Sequence, residues 1–231
     1  MKYRLPRQIL SRELVQVAAR EVVRQEMAVS RASKEHLREL AGIAQSIESE
    51  GLDKKFVCKK LSRELGHGIF LHPSAKPLLK GQVIAPYAGT VTLAPQNQDD
   101  ESSYAFDLLS DIILTKEEHA LLDKKRPYHP RRLYALVLDA AKHGNFTRFI
   151  NHSEQPNVDA RYMKIPANGF GLVPAPLEII YVAKKMILPG EQLLVSYEDE
   201  EESYWGPLKI KPFPMTPQTF RLAPSLQLLT E

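Results

Sequence analysis

Cysteine is almost absent from this 231-residue chain, since Cys58 is the only one. A single thiol excludes internal disulfides and any zinc site built on clustered cysteines, and it fits a reducing compartment. Cys58 lies in a basic, strand-like run, where a lone cysteine is more often a small core residue than a nucleophile. We therefore expect Cys58 to be buried.

Long apolar runs and a strong charge of one sign are absent too. No stretch reaches the roughly 18 continuous apolar residues that span a bilayer, and the charged N-terminus lacks the apolar segment of a secretory signal. Lys and Arg number 31 against 28 Asp and Glu, a formal charge of +3. That balance is too small to indicate nucleic-acid binding by itself. We expect no membrane span and no direct nucleic-acid partner.

The motifs of the commonest catalytic sites are missing. No Gly-rich loop leads into Lys-Ser or Lys-Thr, and Gly66 and Gly68 precede a strand-like run instead of opening a helix. Both features disfavour nucleotide-binding folds. The seven histidines show no HExxH or comparable metal spacing, so we expect no metal site. No GxSxG turn supports a serine nucleophile.

Two amphipathic helices are predicted at the N-terminus. Residues 9–30 place apolar side chains on one broad face, which Glu21 interrupts. Residues 34–49 repeat apolar residues at helical spacing, with Ser33 and Gly51 suited to cap the ends. Such helices either pack on their own domain or form an interface between two copies of the chain. Interleaved basic and acidic residues disfavour a DNA-binding helix-turn-helix.

From residue 52 to 206 the chain is rich in short β-type runs separated by Gly, Pro, Asn and Asp. Only residues 115–125 interrupt with a helical pattern. This order predicts a mainly β fold with an α-helical extension at residues 1–51. Five prolines in residues 207–231 predict an irregular tail. The expected strands are residues 56–60, 68–72, 82–89, 104–109, 134–140, 158–163, 178–185 and 192–197.

Four stretches, taken in order, resemble the SET-domain protein lysine methyltransferases. The most specific are the Arg-Phe-Ile-Asn-His-Ser run with its following Pro-Asn, and the Gly-Glu-x-Leu run that ends in a tyrosine. The resemblance covers about residues 55 to 206. The stretches are GHGIF (66–70) with GQVIAPYAG (81–89), YAFDL (104–108), LDAAKHGNFTRFINHSEQPN (138–157) and AKKMILPGEQLLVSY (183–197).

The resemblance implies a fold of small curved β-sheets in which the Asn-His-Ser segment is threaded under the C-terminal strand, as in a knot. In the family this segment lines the pocket for S-adenosylmethionine. Trp205 either stacks on the adenine or packs in the core or tail. Asn145, Asn157 and Glu191 are expected to close buried hydrogen bonds for the threaded turn. The implied cofactor-binding residues are Gly66, His67, Gly68, Phe70, Arg148, Phe149, Asn151, His152 and Trp205.

The implied reaction is in-line methyl transfer to an uncharged lysine. Free lysine has a pKa of about 10.4, so a dry aromatic channel next to a sulfonium has to lower it. The resemblance assigns the catalytic tyrosine to Tyr197 and the channel walls to Tyr87 and Tyr104, although both of these also suit core positions. Val195 is small at a position linked to methyl number, which predicts more than one methyl.

This chain departs from many relatives at two positions of the motifs. Glu154 stands where they carry a zinc-ligating Cys, so the active-site lid is expected to form without metal, from residues 198–231. Ser196 replaces an Asp. An acidic run, residues 198–202, follows Tyr197 directly. It is either a solvated loop or a surface that attracts a basic substrate, such as a histone or histone-like protein.

The compact, cysteine-poor chain resembles bacterial SET proteins, particularly the chlamydial histone methyltransferases. That resemblance implies a chromatin-directed bacterial effector, cytoplasmic or secreted into a host nucleus by a route that needs no classical signal peptide. The N-terminal helices are the candidate interface of a homodimer. The alternative function is a weakly catalytic SET scaffold that binds partners through those helices. Tyr197, Asn151, His152 and both glycines argue against this alternative.

Overall fold

The structure is a computed structural model that describes residues 7–62, 66–96, 104–167 and 169–197. Within these ranges the chain forms three α-helices, a short 3-10 helix and eleven short strands, which confirms the predicted mainly β class. The helices are α1 (Arg12–Arg24), α2 (Lys34–Glu50) and α3 (Lys116–Leu122), with the 3-10 helix at Phe146–Phe149. The strands are β1 (Ser30–Arg31), β2 (Phe56–Ser62), β3 (Gly66–Leu71), β4 (Val83–Pro86), β5 (Thr90–Pro95), β6 (Ala105–Ile113), β7 (Leu133–Asp139), β8 (Asn151–His152), β9 (Val158–Ile165), β10 (Ala175–Ala183) and β11 (Leu194–Val195).

Local signals place both N-terminal helices. Ser33 accepts from the backbone N–H of His36, and Gly51 closes α2 with a left-handed φ of 82°, so both predicted caps of this helix are confirmed. α1 is shorter than predicted and ends at Arg24. Glu26 takes a left-handed φ of 51°, and residues 30–31 then pair with β9 as a parallel strand. Because that pairing needs extended backbone, the helix has to stop before it.

The polar residue in the apolar face of α1 is fully paired. Glu21 is 1% exposed and accepts from Arg20, Arg24 and Gln25. The same three side chains also donate to backbone carbonyls of β6. Pairing of this kind offsets the cost of burying a carboxylate. α1 therefore packs on its own chain, and an interface between two copies stays a prediction.

The chain divides into two compact units. Of the described residues, unit 1 comprises residues 7–51 together with Ala85–Arg148 and Arg161–Ile180. Unit 2 comprises Leu52–Ile84, Phe149–Ala160 and residues 181–197. The sequence-based boundaries at residues 51 and 206 stay predictions.

Unit 1 is built around an antiparallel sheet with the order β5-β7-β6. Its central strand β7 is buried along most of its length, as expected for a strand with neighbours on both sides. β5 was not predicted, because its Thr-rich outer face lacks a strong apolar pattern. α3 follows β6 and begins with a reciprocal capping box between Thr115 and Glu118.

Unit 2 contains two small sheets, the antiparallel pair β2-β3 and the parallel pair β8-β11. A further sheet has the order β1-β9-β10-β4.

The expectation that Cys58 is buried is wrong, since it is exposed. β2 buries Phe56 at its start but leaves Cys58 and Lys60 open to solvent, because a two-stranded sheet covers little of its own surface. Partial desolvation raises the pKa of the Cys58 thiol, which opposes a nucleophilic thiolate.

No helix in the described ranges is both long and apolar enough to cross a membrane.

Candidate functional site

The Asn-His-Ser segment of unit 2 lies along β11, which ends two residues before Tyr197. Asn151 pairs with Leu194 and His152 with Val195 in parallel register. The backbone N–H of Ser153 continues this ladder by donating to the carbonyl of Val195 at 2.9 Å. Parallel pairing between segments about 40 residues apart requires a crossover in the chain. A polar segment can thus be buried with its backbone groups satisfied.

Asn157 fixes the end of this segment as predicted. Its side chain is 1% exposed, donates to the carbonyl of Gln192 and accepts from the N–H of Leu194, both at 2.8 Å. Asn145 also makes buried hydrogen bonds, to Pro86 and Thr147 within unit 1. The side-chain amide of Asn157 thus makes the hydrogen bonds to Gln192 and Leu194 that a neighbouring backbone would otherwise make.

The prediction for Glu191 is wrong. Its carboxylate accepts from the backbone N–H of Leu188, and this hydrogen bond is exposed. Because Pro189 and Gly190 reverse the chain between these two residues, the nearest unpaired donor is in the same turn. Glu191 therefore closes its own turn instead of the threaded one.

Tyr197 is held at both ends by the Asn-His-Ser segment. Its backbone N–H donates to Nδ1 of His152 at 2.9 Å, and its hydroxyl donates to the carbonyl of Ile150 at 2.8 Å. The two rings lie 5.4 Å apart between centroids. Since Nδ1 accepts, a neutral His152 ring carries its proton on Nε2, an assignment inferred from the hydrogen bond. His152 is therefore a support for the tyrosine in this geometry.

An accessible wall lies next to this support in unit 2. The exposed ring of His67 lies 5.5 Å from the half-buried ring of Phe149. Asn151 donates from Nδ2 to the carbonyl of His67 at 2.9 Å. Two ring faces and an amide are thus brought together from segments about 80 residues apart. These are three of the side chains implied to bind cofactor.

The two glycines of the GHG motif have different reasons to be glycine. Gly66 has a left-handed φ of 62°, and a Cβ there would meet open space. A Cβ at Gly68 would instead stand 2.8 Å from Nε2 of Gln192 and 2.9 Å from a methyl of Leu61. Gly66 is therefore required by backbone conformation, and Gly68 by close packing. Phe70 is 3% exposed and belongs to the core.

Three further predicted residues meet in unit 1. The Arg148 guanidinium lies 4.1 Å from the ring centroid of Tyr104 and donates to the carbonyls of Ala140 and Ala141. Tyr87 is buried, and its hydroxyl donates to the carbonyl of Tyr104 at 3.0 Å. Burial raises the pKa of Tyr87. The Tyr87 hydroxyl is thus committed to the protein, whereas Tyr104 is only half-buried.

The predicted lysine channel draws on both units. Tyr87 and Tyr104 belong to unit 1, whereas Val195, which is 1% exposed, and Tyr197 belong to unit 2. The channel stays a prediction. Trp205 and the acidic run at residues 198–202 lie outside the described residues.

A separate cleft of about 680 Å³ lies in unit 1, among α1, α2 and residues 170–178. None of the residues predicted to bind cofactor or substrate lines it. Its lining includes the ion pair of the part-buried Arg7 and the buried Glu178.

Two residues that shape this site were missed by the sequence-based predictions. Ile150 acts through its backbone carbonyl, for which no side-chain signal exists. Gln192 is fully buried, and neither atom of its amide has a hydrogen-bond partner within the described part of the chain. A glutamine within the run QLLVSY was the only available hint.

Comparison with known proteins gives a family match. The model of the SET domain matches residues 66–198. A histone-lysine N-methyltransferase specific for H3 lysine-4 from Schizosaccharomyces pombe is 35% identical over 68 residues, 29% of this chain and 6% of that protein. Histone-lysine N-methyltransferase set-2 from Caenorhabditis elegans is 37% identical over 62 residues, 27% of this chain and 4% of that protein. The chain thus spans a small fraction of the length of these relatives.

Among solved structures, KRYPTONITE in complex with mCHH DNA, an H3(1-15) peptide and SAH aligns with a TM-score of 0.42 and 20% identity. The alignment covers 68% of this chain and 26% of that one. The family model itself matches more than half of the present chain and includes the Asn-His-Ser segment, the GHG motif and Tyr197. The chain belongs to the SET-domain family.

Proposed function

We propose that this protein is an S-adenosylmethionine-dependent protein lysine N-methyltransferase. The observation that carries the proposal is the double anchoring of Tyr197, through its amide on His152 and its hydroxyl on Ile150. Two hydrogen bonds and one ring contact on a single tyrosine are more than strand packing requires. They fix the direction of its hydroxyl oxygen, which is what a positioned catalytic group requires.

The residues of unit 2 suit a nucleoside with a sulfonium group. Gly66 leaves open space where a Cβ would stand, beside the exposed ring of His67. Phe149 offers a second ring face, and Asn151 supplies a polar edge already fixed on the His67 carbonyl. When bound, the cofactor supplies a methyl group activated by its positive sulfur. The chain itself supplies shape, ring contacts and backbone polar groups.

The geometry of Tyr197 defines what its hydroxyl can do. The proton points at the Ile150 carbonyl, so the oxygen presents lone pairs on its other side. Those lone pairs can accept a hydrogen bond from a lysine amine and align it. A lysine of pKa about 10.4 has to lose a proton before it reacts, and removal from water favours that loss. Tyr197 is thus a positioning acceptor in this mechanism.

The proposed substrate is a basic protein segment, such as a histone or a histone-like protein. Residues 198–202 place five carboxylates immediately after Tyr197 in the chain. Negative charge at this point of the sequence attracts and orients basic peptides. The two relatives described above are named as histone-lysine N-methyltransferases, which supports the same substrate class.

A methyl-transfer assay tests the proposal. Wild type and Tyr197→Phe are incubated with tritiated S-adenosylmethionine and purified histones, and cofactor affinity is measured separately by calorimetry. We expect wild type to label histone lysines. Tyr197→Phe should lose about 100-fold or more in kcat, with cofactor affinity changed less than about threefold. Cofactor binding without label from either protein would favour the scaffold interpretation. Failure of wild type to bind S-adenosylmethionine would contradict both the proposed cofactor and the proposed methyltransferase activity.

A further inference from the structure

Two turns of unit 2 are joined by a pair of backbone hydrogen bonds. The backbone N–H of Leu78 donates to the carbonyl of Ile187, and the N–H of Ile187 donates back to Leu78, both at 3.0 Å. The two side chains are 4% and 0% exposed. This reciprocal pair fixes the turn at residues 72–82 against the turn at residues 183–190.

The side chains beside this pair point outward. Leu79, Met186 and Leu188 flank the buried Leu78 and Ile187, and they are 58%, 55% and 45% exposed. Alternation explains the direction, because neighbours of an inward side chain on extended backbone face the other way. Single exposed apolar residues are ordinary, but grouped ones indicate an interaction site. Three large aliphatic side chains are here held together by one backbone pair.

Positive charge predominates around this group, although the Glu191 carboxylate lies at its edge, where it accepts from the backbone N–H of Leu188. Residues 72–82 and 183–190 contain no Asp or Glu. Their lysines are all exposed, and none forms an ion pair within the described residues. Four positive charges on two short turns contrast with the +3 of the whole chain. The lysines are Lys76, Lys80, Lys184 and Lys185.

We propose that this basic-apolar patch, formed by the four lysines with Leu79, Met186 and Leu188, docks an acidic segment of another protein that carries aliphatic side chains. Carboxylates on the partner complement the lysines and steer association, while its aliphatic groups cover the exposed ones. Neither turn contains arginine or the aromatic residues on which single-stranded bases stack. Aromatic anchors typical of a membrane surface are absent from both turns as well.

The test uses a fluorescein-labelled peptide of repeated Glu-Glu-Leu units and an oligo-glutamate peptide of equal charge. Binding is measured by anisotropy. A charge variant changes the four lysines of the patch to Gln, and an apolar variant carries Leu79→Ser, Met186→Ser and Leu188→Ser. A matched control removes four exposed charges elsewhere on the chain, through Lys34→Gln, Lys116→Gln, Lys124→Gln and Lys125→Gln.

We expect wild type to bind the Glu-Glu-Leu peptide about tenfold more tightly than oligo-glutamate. The charge and apolar variants should each weaken that binding about tenfold or more, and the matched control by less than about threefold. Circular dichroism melts and methyl transfer to a free histone-tail peptide check that the variants stay folded and active.

Several outcomes overturn the proposal. If the matched control loses as much affinity as the charge variant, the binding is general charge attraction. If wild type binds oligo-glutamate as tightly as the Glu-Glu-Leu peptide, the apolar side chains contribute nothing to binding. No peptide binding by wild type contradicts the patch as a docking surface for this chemistry. Tighter, patch-dependent binding to duplex DNA or to phosphatidylserine vesicles assigns the patch to another class of partner. The result does not depend on catalysis, so it stands or falls separately from the proposed function.

Discussion

The backbone N–H of Tyr197 donates a 2.9 Å hydrogen bond to Nδ1 of His152. The two residues are 45 positions apart in the chain, and their rings are also neighbours. His152 is 5% exposed, so this acceptor is shielded from water. His152, which the resemblance assigns to cofactor binding, thus also supports the backbone of the proposed catalytic tyrosine.

Replacement of His152 separates the roles of its two nitrogens. Asn carries an oxygen close to the position of Nδ1, whereas Gln carries its polar atoms nearer to Nε2. We expect His152→Asn to keep kcat within about tenfold of wild type, and His152→Gln and His152→Ala to lose about 100-fold, because small displacements of a positioned group are costly. The exposed His143→Asn is the matched control. Equal activity of the Asn and Gln variants would contradict the supporting role.

Two glycines of unit 1 should respond to alanine in opposite directions. A Cβ at Gly89 would stand 2.6 Å from the carbonyl oxygen of Asp139, a backbone atom that cannot turn away. We expect Gly89→Ala to lower the free energy of unfolding by about 3 kcal/mol. Gly42 lies within α2 with nothing inside 4 Å of its Cβ position. Gly42→Ala should raise the free energy of unfolding by about 0.5–1 kcal/mol. Urea denaturation measures both, and equal effects would refute the contrast.

Glu178 gives unit 1 a defined pH dependence. Its side chain is 3% exposed and paired with Arg7. Burial raises its pKa above the ordinary value, and the Arg7 charge opposes that rise only in part. Between the unfolded pKa of about 4.3 and the raised folded pKa, the folded protein holds a proton that the unfolded chain has released. The favourable contribution is complete below this window and is lost as pH rises through it.

Glu178→Gln should remove this dependence. Relative to the variant, wild type is expected to lose free energy of unfolding as pH is raised from about 4 to 7. Chemical denaturation at several pH values measures the difference. Glu48→Gln, on the same cleft but exposed, should follow the wild-type profile. A constant difference between wild type and Glu178→Gln across this range would contradict the shifted pKa.

Neutralising residues 198–202 to Ser and Gln should weaken recognition of a basic substrate. We expect KM for a histone-tail peptide to rise about tenfold at low salt with little change in kcat, because steering acts on encounter. The difference should shrink as ionic strength approaches about 1 M, where the Debye length is near 3 Å. A control with Glu35, Glu48 and Glu117 changed to Gln should behave like wild type. Unchanged kcat/KM and salt dependence would make the run a solvated loop.

Features with local causes were predictable from the sequence. Ser33 and Gly51 cap α2 because a hydroxyl acceptor and a left-handed glycine do so wherever a helix ends. Runs of apolar residues predicted most of the longer strands, because these runs are also a local feature of the sequence. The two-residue strands β1 and β8 were missed, and Cys58 was placed in the core incorrectly. In each case the outcome depends on what covers or pairs with the segment, which a local pattern does not contain.

The sequence by itself determined the family, because the Asn-His-Ser run and the closing tyrosine form a specific pattern of residue types in a fixed order. It also determined where α2 starts and where most of the longer extended runs lie, since those depend on neighbouring residues. Only the tertiary structure decided that Ile150 receives the Tyr197 hydroxyl, that Gly68 is needed to pack against Gln192, and that three exposed aliphatic side chains meet four lysines. These relationships join segments distant in sequence, and the energy of a contact depends on distance in space.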